Sequence, residues 1–374
     1  MKKQFLYILF FGFMLGGCNP TIPVTPLEPE EEQLDSTRML GGDISLLTRY
    51  ENFGAVYKDS LGVIVEPLEL FKETGMNSAR LRLFVNPDTS SDACQNLSYV
   101  TALAKRIKEA GFTFMLDFHY SDTWADPIQQ TKPATWNDLP FETLKDTLYT
   151  YTKNCLETLI AAGATPDYIQ IGNEITSGML WDDGRVNYNS TSNWNNLALL
   201  LGSASTACRE VCPNAQLIIH IERSGNRTLV QKFFQNINDF EVDYDIIGLS
   251  YYPHWHGTIS SLESTLKMLN TNHPEKKIMI VEFGYNNNWY PTDATYDFTS
   301  TYPATAKGQA KITADLITML KSHQQVTGLY WWFPEENEAT YTGILQGWTN
   351  RGLFDNNTGK ALPALYELKN FRKK

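Results

Sequence analysis

Two glutamates stand at the ends of short apolar runs, Ile171-Gly172-Asn173-Glu174 and Ile280-Val281-Glu282-Phe283. Such β-branched runs read as buried strands, and a carboxylate at a strand's tip faces whatever lies beyond the sheet. Two carboxylates delivered to one cleft can divide the hydrolysis of a glycosidic bond. One protonates the leaving oxygen, and the other attacks the sugar or activates water. Either glutamate alone reads as readily as a solvated rim residue. The pair acquires chemistry only if both tips open on the same mouth.

The elements that carry them meet that condition. From residue 39 the chain alternates apolar runs with helical stretches, the pattern of repeated βα units. Strands are expected over Met39–Ser45, Ser78–Phe84, Phe112–Phe118, Tyr168–Gly172, Leu217–Ile221, Ile246–Ser250, Ile278–Val281 and Gly328–Trp332. Helices fit between them, from Pro67–Thr74 to a closing Pro363–Phe371, and glycines such as Gly111 and Gly163 fall where helices should stop. Eight strands with intervening helices predict an α/β fold, a (β/α)₈ TIM barrel, as one catalytic domain over residues 39–374. A doubly wound sheet would place a glycine-rich phosphate turn after its first strand, and Met39-Leu40-Gly41-Gly42-Asp43 lacks that pattern. In a barrel, chemistry gathers at the C-terminal strand ends. Read in order, those ends offer Asp43, Arg82, Asp117, His119, Asn173, Glu174, His220, Tyr251, Tyr252, Glu282 and Trp332. Stability alone would put apolar residues there.

Bulk properties narrow the partners. The length of 374 residues suits a single barrel with extended loops, and a net charge of −11 excludes a phosphate-tracking face, so no nucleic acid is expected. Of the 9 Trp and 19 Tyr, packing must explain most, and a sugar-binding cleft would explain a surplus, because flat rings stack on the apolar faces of pyranoses. Lys2-Lys3, an apolar run from Phe5 to Leu15 and Gly16-Gly17-Cys18 describe a secretory signal over residues 1–17, too short to span a membrane. Cys18 closes a string similar to a bacterial lipobox, so it is the expected lipidation site. Residues 18–38, with prolines and the acidic run Glu30-Glu31-Glu32, read as the tether. The expected product is an exported outer-membrane lipoprotein that touches the membrane only through its lipid; the acidic run after Cys18 fits outward display, and the sequence leaves the periplasmic and exterior faces open. Cys94, Cys155, Cys208 and Cys212 remain, as buried thiols or one disulfide. No metal or cofactor is expected for the chemistry. Asp293, Asp297 and Asn286–Asn288 offer oxygens for a structural calcium but no recognisable spacing.

A more specific resemblance lies in Asp117-Phe118-His119-Tyr120-Ser121-Asp122-Thr123-Trp124-Ala125-Asp126-Pro127. This string resembles glycoside hydrolase family 53, the endo-β-1,4-galactanases, within the barrel clan of retaining glycosidases. Supporting stretches run from near residue 39 to near 366, among them Gln170-Ile171-Gly172-Asn173-Glu174 and Leu249-Ser250-Tyr251-Tyr252-Pro253. The resemblance implies that Glu174 is acid/base and Glu282 nucleophile, that Asn173 meets the sugar 2-OH, and that Arg82 keeps Glu282 ionised. It also implies that His119 and His220 position the sugar or the carboxylates, that Trp332 floors the attacked sugar's subsite, and that the substrate is β-1,4-galactan. Period-two alternation selects Tyr252 to hydrogen-bond the nucleophile, with Tyr251 as the fallback. Trp124, Trp255 and Trp289 in the top loops could lengthen the cleft. Phe333 stands where the family often has Glu. A monomer is expected. The rival readings are a barrel-clan endo-glycanase for mannan or xylan, and a non-catalytic sugar-capturing surface lipoprotein.

Overall fold

A computed structural model describes residues 33–189, 193–345 and 349–374. The expected signal segment, Cys18 and most of the tether lie outside the described residues. Eight parallel strands close a barrel: β1 (Met39–Asp43), β2 (Ser78–Leu83), β3 (Thr113–Phe118), β4 (Tyr168–Ile171), β5 (Gln216–Ile221), β6 (Ile246–Tyr251), β7 (Lys277–Phe283) and β8 (Val326–Trp332). Each pairs with its sequence neighbours, and β1 closes on β8. The strands are buried on both faces because helices cover the outside, which explains their near-continuous apolar runs.

The helices are α1 (Leu47–Asn52), α2 (Pro67–Glu73), α3 (Leu97–Glu109), α4 (Phe141–Ala161), α5 (Trp194–Val211), α6 (Arg227–Asp239), α7 (Pro253–His256), α8 (Ile259–Asn272), α9 (Ala306–Lys321) and α10 (Pro363–Glu367). Short α1 and α7 were not expected, nor was the Gly178–Met179 and Gly184–Arg185 hairpin after β4. All three lie in loops that follow strand tips, where neither period nor length marks an element. The compact unit begins at Leu34, ahead of the expected start at 39. The reason is local: Leu34 bridges Lys373, Asp35 N–H donates to the Arg372 carbonyl (2.6 Å), and Arg38 lies over the Phe371 ring. The four cysteines of this unit are free and buried, so the thiol alternative holds.

Inside the barrel, side chains stack in layers. Met39, Met115, Ile218, Ile246, Met279, Val281 and Tyr330 form an apolar plug. One step of two residues toward the strand ends, the inward positions turn polar: Met115 gives way to Asp117, Ile218 to His220, and Ile246, after Gly248, to Ser250. Strand β7 breaks this rule. Ile280 pairs with Leu249, yet Glu282 pairs with Ser250, so Val281 is one residue too many. The same surplus appears against β8, where Ile280 pairs with Leu329 and Phe283 with Trp331. With the bulge, Val281 joins the inner plug and Glu282 also faces inward. Without it, alternation would turn Glu282 to the helix side.

Candidate active site

The two glutamates reach the mouth by different backbone devices. Glu282 is re-aimed by the β7 bulge. Glu174 follows a turn in which Gly172 adopts φ +91° and Glu174 itself φ +49°. A non-glycine residue in the left-handed region costs about 1–3 kcal/mol, which the surrounding contacts must offset. The turn places Asn173 and Glu174 together over the end of β4. Both line a cleft of about 350 Å³ with Glu282, Tyr252, Arg82, His119, Trp124 and Trp332. The condition set by the sequence is met: the two carboxylates share one mouth.

Beneath that mouth lies a buried charge network centred on Arg80. Its guanidinium sits 2.8 Å from Asp43, 2.8 Å from Asp117 and 2.9 Å from Glu282, and it donates to Asn173 Oδ1 at 2.9 Å. This corrects the expectation for Arg82, which instead donates to Asp43 (2.6 Å) and lies over the Trp124 ring. Arg80 and Arg82 share the inward face of β2, and the position deeper in the barrel is the one that reaches Glu282. Asp117 also accepts from Gln170 Nε2 at 2.5 Å and pairs with His119 at 3.1 Å. Burial raises its carboxyl, but Arg80 and His119 outweigh that and hold it below the usual carboxylate range.

The partners of the two glutamates are unequal. Glu282 has Arg80 on one oxygen and receives the Tyr252 hydroxyl on the other at 2.9 Å. Burial and the two glutamates push the Tyr252 phenol well up, so it stays protonated and donates. Tyr252 thus lies where alternation put it. The fallback Tyr251 points to the helix side and donates to the Gly257 carbonyl, so it leaves the site. Among the described residues, Glu174 receives only the Ser250 hydroxyl, at 2.6 Å. Burial, then the charges of Glu282 and Glu222, hold its carboxyl well above the usual range. Burial also lifts Glu282, to about 7, while Arg80 and Tyr252 pull it down. Of the two, Glu282 loses its proton first because, among the described residues, it alone touches a cation.

His220 is buried under Glu174 rather than exposed to the cleft, and burial drives its pKa well down, so it is neutral. Its Nε2 is 2.8 Å from Ser250 Oγ, whose proton goes to Glu174. Its Nδ1 lies 3.0 Å from Asn173 Oδ1 and 3.1 Å from Gln170 Nε2, so the ring bridges Ser250 to both side chains. Asn173 Nδ2 donates to the Ala125 carbonyl (2.8 Å), which ties Glu174's neighbour to the Asp117–Pro127 loop. Trp124 and Trp332 meet edge to face across the cleft, their centroids 6.1 Å apart. Trp255 and Trp289 are not among the lining residues. Phe333 packs on Trp332, and the carboxylate two residues on, Glu335, accepts Leu46 N–H at 2.9 Å.

Sequence reading missed Arg80, Gln170, Ser250 and Glu222. Alternation could have found Arg80 and Ser250, which sit two residues from Arg82 and Tyr252, whereas Gln170 lies three before Asn173, across the irregular turn at the tip of β4. Glu222 lies past the end of β5, where it accepts from Thr176 Oγ1 at 2.5 Å and pairs with Arg223 at 2.9 Å. Nothing local marks it. Of the candidate calcium oxygens, Asn286 is buried and Asp297 accepts Thr299 N–H, and no group of three or more His, Cys, Asp or Glu side chains placed to hold a metal occurs among the described residues.

The Ser250 hydrogen bond favours the ionised form of Glu174. Ser250→Ala should therefore raise the Glu174 pKa and move the alkaline limb of kcat/KM to higher pH. A limb that stays in place or moves down would remove Ser250 as a determinant.

Comparison with known proteins places this geometry. Residues 39–368 match the model of Glycosyl hydrolase family 53. The chain is 34% identical to an arabinogalactan endo-β-1,4-galactanase of Thermothelomyces thermophilus, over 79% of this chain and 88% of that one. The GH53 catalytic domain of Ignisphaera aggregans superposes with a TM-score of 0.80 at 32% identity, covering 90% and 97% of the two chains. A structure from a study of two fungal β-1,4-galactanases gives 0.78 at 31%, covering 88% and 98%.

Proposed function

The chain belongs to glycosyl hydrolase family 53 and is a glycosidase, and from that premise we propose that it cleaves β-1,4-galactosidic bonds within galactan or type I arabinogalactan, the side chains of pectin. The observation that carries the mechanism is the unequal partnering of two glutamates in one cleft: Arg80 and Tyr252 on Glu282, only a hydroxyl on Glu174. An ionised carboxylate beside a protonated one suits double displacement with retention.

In the first step a Glu282 oxygen attacks the anomeric carbon. The bond to the leaving sugar breaks, and its oxygen takes the Glu174 proton. The product is a galactosyl ester on Glu282 and a shortened chain. Esterification removes the Glu282 charge, the largest of the neighbouring charges that help burial keep Glu174 protonated, so Glu174 can now act as base. It takes a proton from water, the hydroxide attacks the anomeric carbon, and Glu282 departs as carboxylate. Tyr252 and Arg80 are placed to stabilise that carboxylate. The second proton of Asn173 Nδ2 is available for the sugar 2-OH, and Trp332 offers a ring for the attacked sugar.

Product analysis on unbranched galactan, mannan and xylan tests the substrate. Galacto-oligosaccharides from galactan alone are expected, and turnover of mannan or xylan only would overturn the reading. Glu282→Gln should lose nearly all turnover while still binding oligosaccharide. Glu174→Ala should recover on activated aryl galactosides, whose leaving groups need no proton; absence of recovery would assign Glu174 another role.

The reading extends to location. Residues 1–17 would direct export, and acylated Cys18 would hold a monomeric barrel at the outer membrane, facing outward. Expressed in its native compartment, the Cys18→Ala protein should leave the membrane fraction; continued membrane retention would contradict a lipid anchor.

A further inference from the structure

Beside the cleft, on the loops after β1 and β8, stand two aromatic rings whose exposure no packing need explains. Phe53 and Tyr341 are 39% and 45% exposed, yet they stack with centroids 4.2 Å apart and planes 10° from parallel. Arg49 lies over Phe53, 5.4 Å from its centroid. Phe53 is thus contacted by both Arg49 and Tyr341, and Tyr341, stacked on one side, keeps nearly half of its surface open to solvent. Next to this pair is a depression of about 490 Å³ lined by Arg49, Asn52, Phe53, Thr89, Asn96 and Ser98, among others. A flat ring bordered by hydroxyl, amide and guanidinium groups has the chemical make-up of a sugar site rather than of an apolar docking face.

Two chain segments join this feature to the catalytic cleft. Thr89 lines the depression and Asp92 lines the cleft, so residues 89–92 form a shared wall. Three residues of extended chain span about 10 Å at most, a distance that a few sugar rings cover. Arg49 fixes that wall by donating to the carbonyls of Thr89 and Ser90, and Asp92 accepts Trp124 Nε1 from the cleft side. On the other segment, Leu345 lines the cleft four positions after Tyr341. The buried Glu338 carboxylate receives Gly343 N–H at 3.3 Å and Leu345 N–H at 3.4 Å, which holds the loop in register with both.

We propose that Tyr341, stacked on Phe53, and the adjoining polar depression form a distal binding site for the galactan chain as it leaves the catalytic cleft across the Thr89–Asp92 wall. The site deepens the galactanase reading and rests on it. Galactose suits such a ring because its axial 4-hydroxyl gathers polarity on one face, leaving C–H groups on the other. Binding there would hold the polymer without touching the reacting bond, so it should act on KM and leave kcat nearly constant.

Tyr341→Ala should raise KM for long galactan about tenfold with little change in kcat, and the loss should shrink as the chain shortens to galactotriose. Tyr341→Phe, which keeps the ring, should retain the wild-type KM. Native electrophoresis through galactan reads the same site without turnover: migration of the Glu282→Gln protein should be retarded, and the added Tyr341→Ala change should release it. An unchanged KM and unchanged retardation would overturn the proposal. Equal losses on polymer and trisaccharide would also overturn it, since they would place the effect in the catalytic cleft. Failure of the wild type to cut galactan would strike the galactanase reading instead, and the gel would still read the platform.

Discussion

The site depends on one buried cation. Arg80 is fully enclosed, and it joins Asp43 of β1, Asp117 of β3, Asn173 beyond β4 and Glu282 of β7. Removing a guanidinium from water costs several kcal/mol, and such a charge persists only when its partners are complete. Here they come from strands all round the barrel, so closure of the sheet is what satisfies Arg80. In return Arg80 makes the two glutamates unequal. It leaves Glu282 the readier to ionise and leaves Glu174, which has no cation, to keep the proton. Two carboxyls of the same kind are thereby held toward opposite protonation states by their surroundings, the division that the proposed double displacement needs.

Backbone irregularity does the aiming. A regular β7 would turn Glu282 away from the mouth, and a regular tip on β4 would not present Asn173 and Glu174 together. The surplus Val281 and the left-handed Glu174 correct both, at sites where the apolar plug and the Arg80 network hold the chain in place. Tyr252 and Ser250 need no such device. Ordinary alternation along β6 sends each to a different glutamate. His220 then supports Ser250 from below, which extends the Glu174 side by one more hydrogen bond.

Much of this was legible in the chain itself. The eight apolar runs mark the barrel strands because both their faces are buried, and period two singles out Tyr252 correctly. The pairing of Glu174 and Glu282 in one cleft followed from strand count. Arg80 was passed over for Arg82 because the alternation that makes both point inward says nothing of depth. The bulge was invisible, since Val281 looks like any other strand residue. Glu222 and the Phe53–Tyr341 pair sit in loops, where contacts between distant segments decide position and no local pattern records them. Tyr251 failed as a fallback for the opposite reason: the alternation that selects Tyr252 excludes its neighbour.

The central claim is that Arg80 makes Glu282 the nucleophile of a double displacement. It is tested most directly by incubating the enzyme with an activated 2-deoxy-2-fluoro galactobioside, whose second step is slow, and mapping the adduct by peptide mass. The account predicts one galactobiosyl ester, on Glu282. A label on Glu174, or turnover with inversion at the anomeric carbon and no adduct, would contradict it.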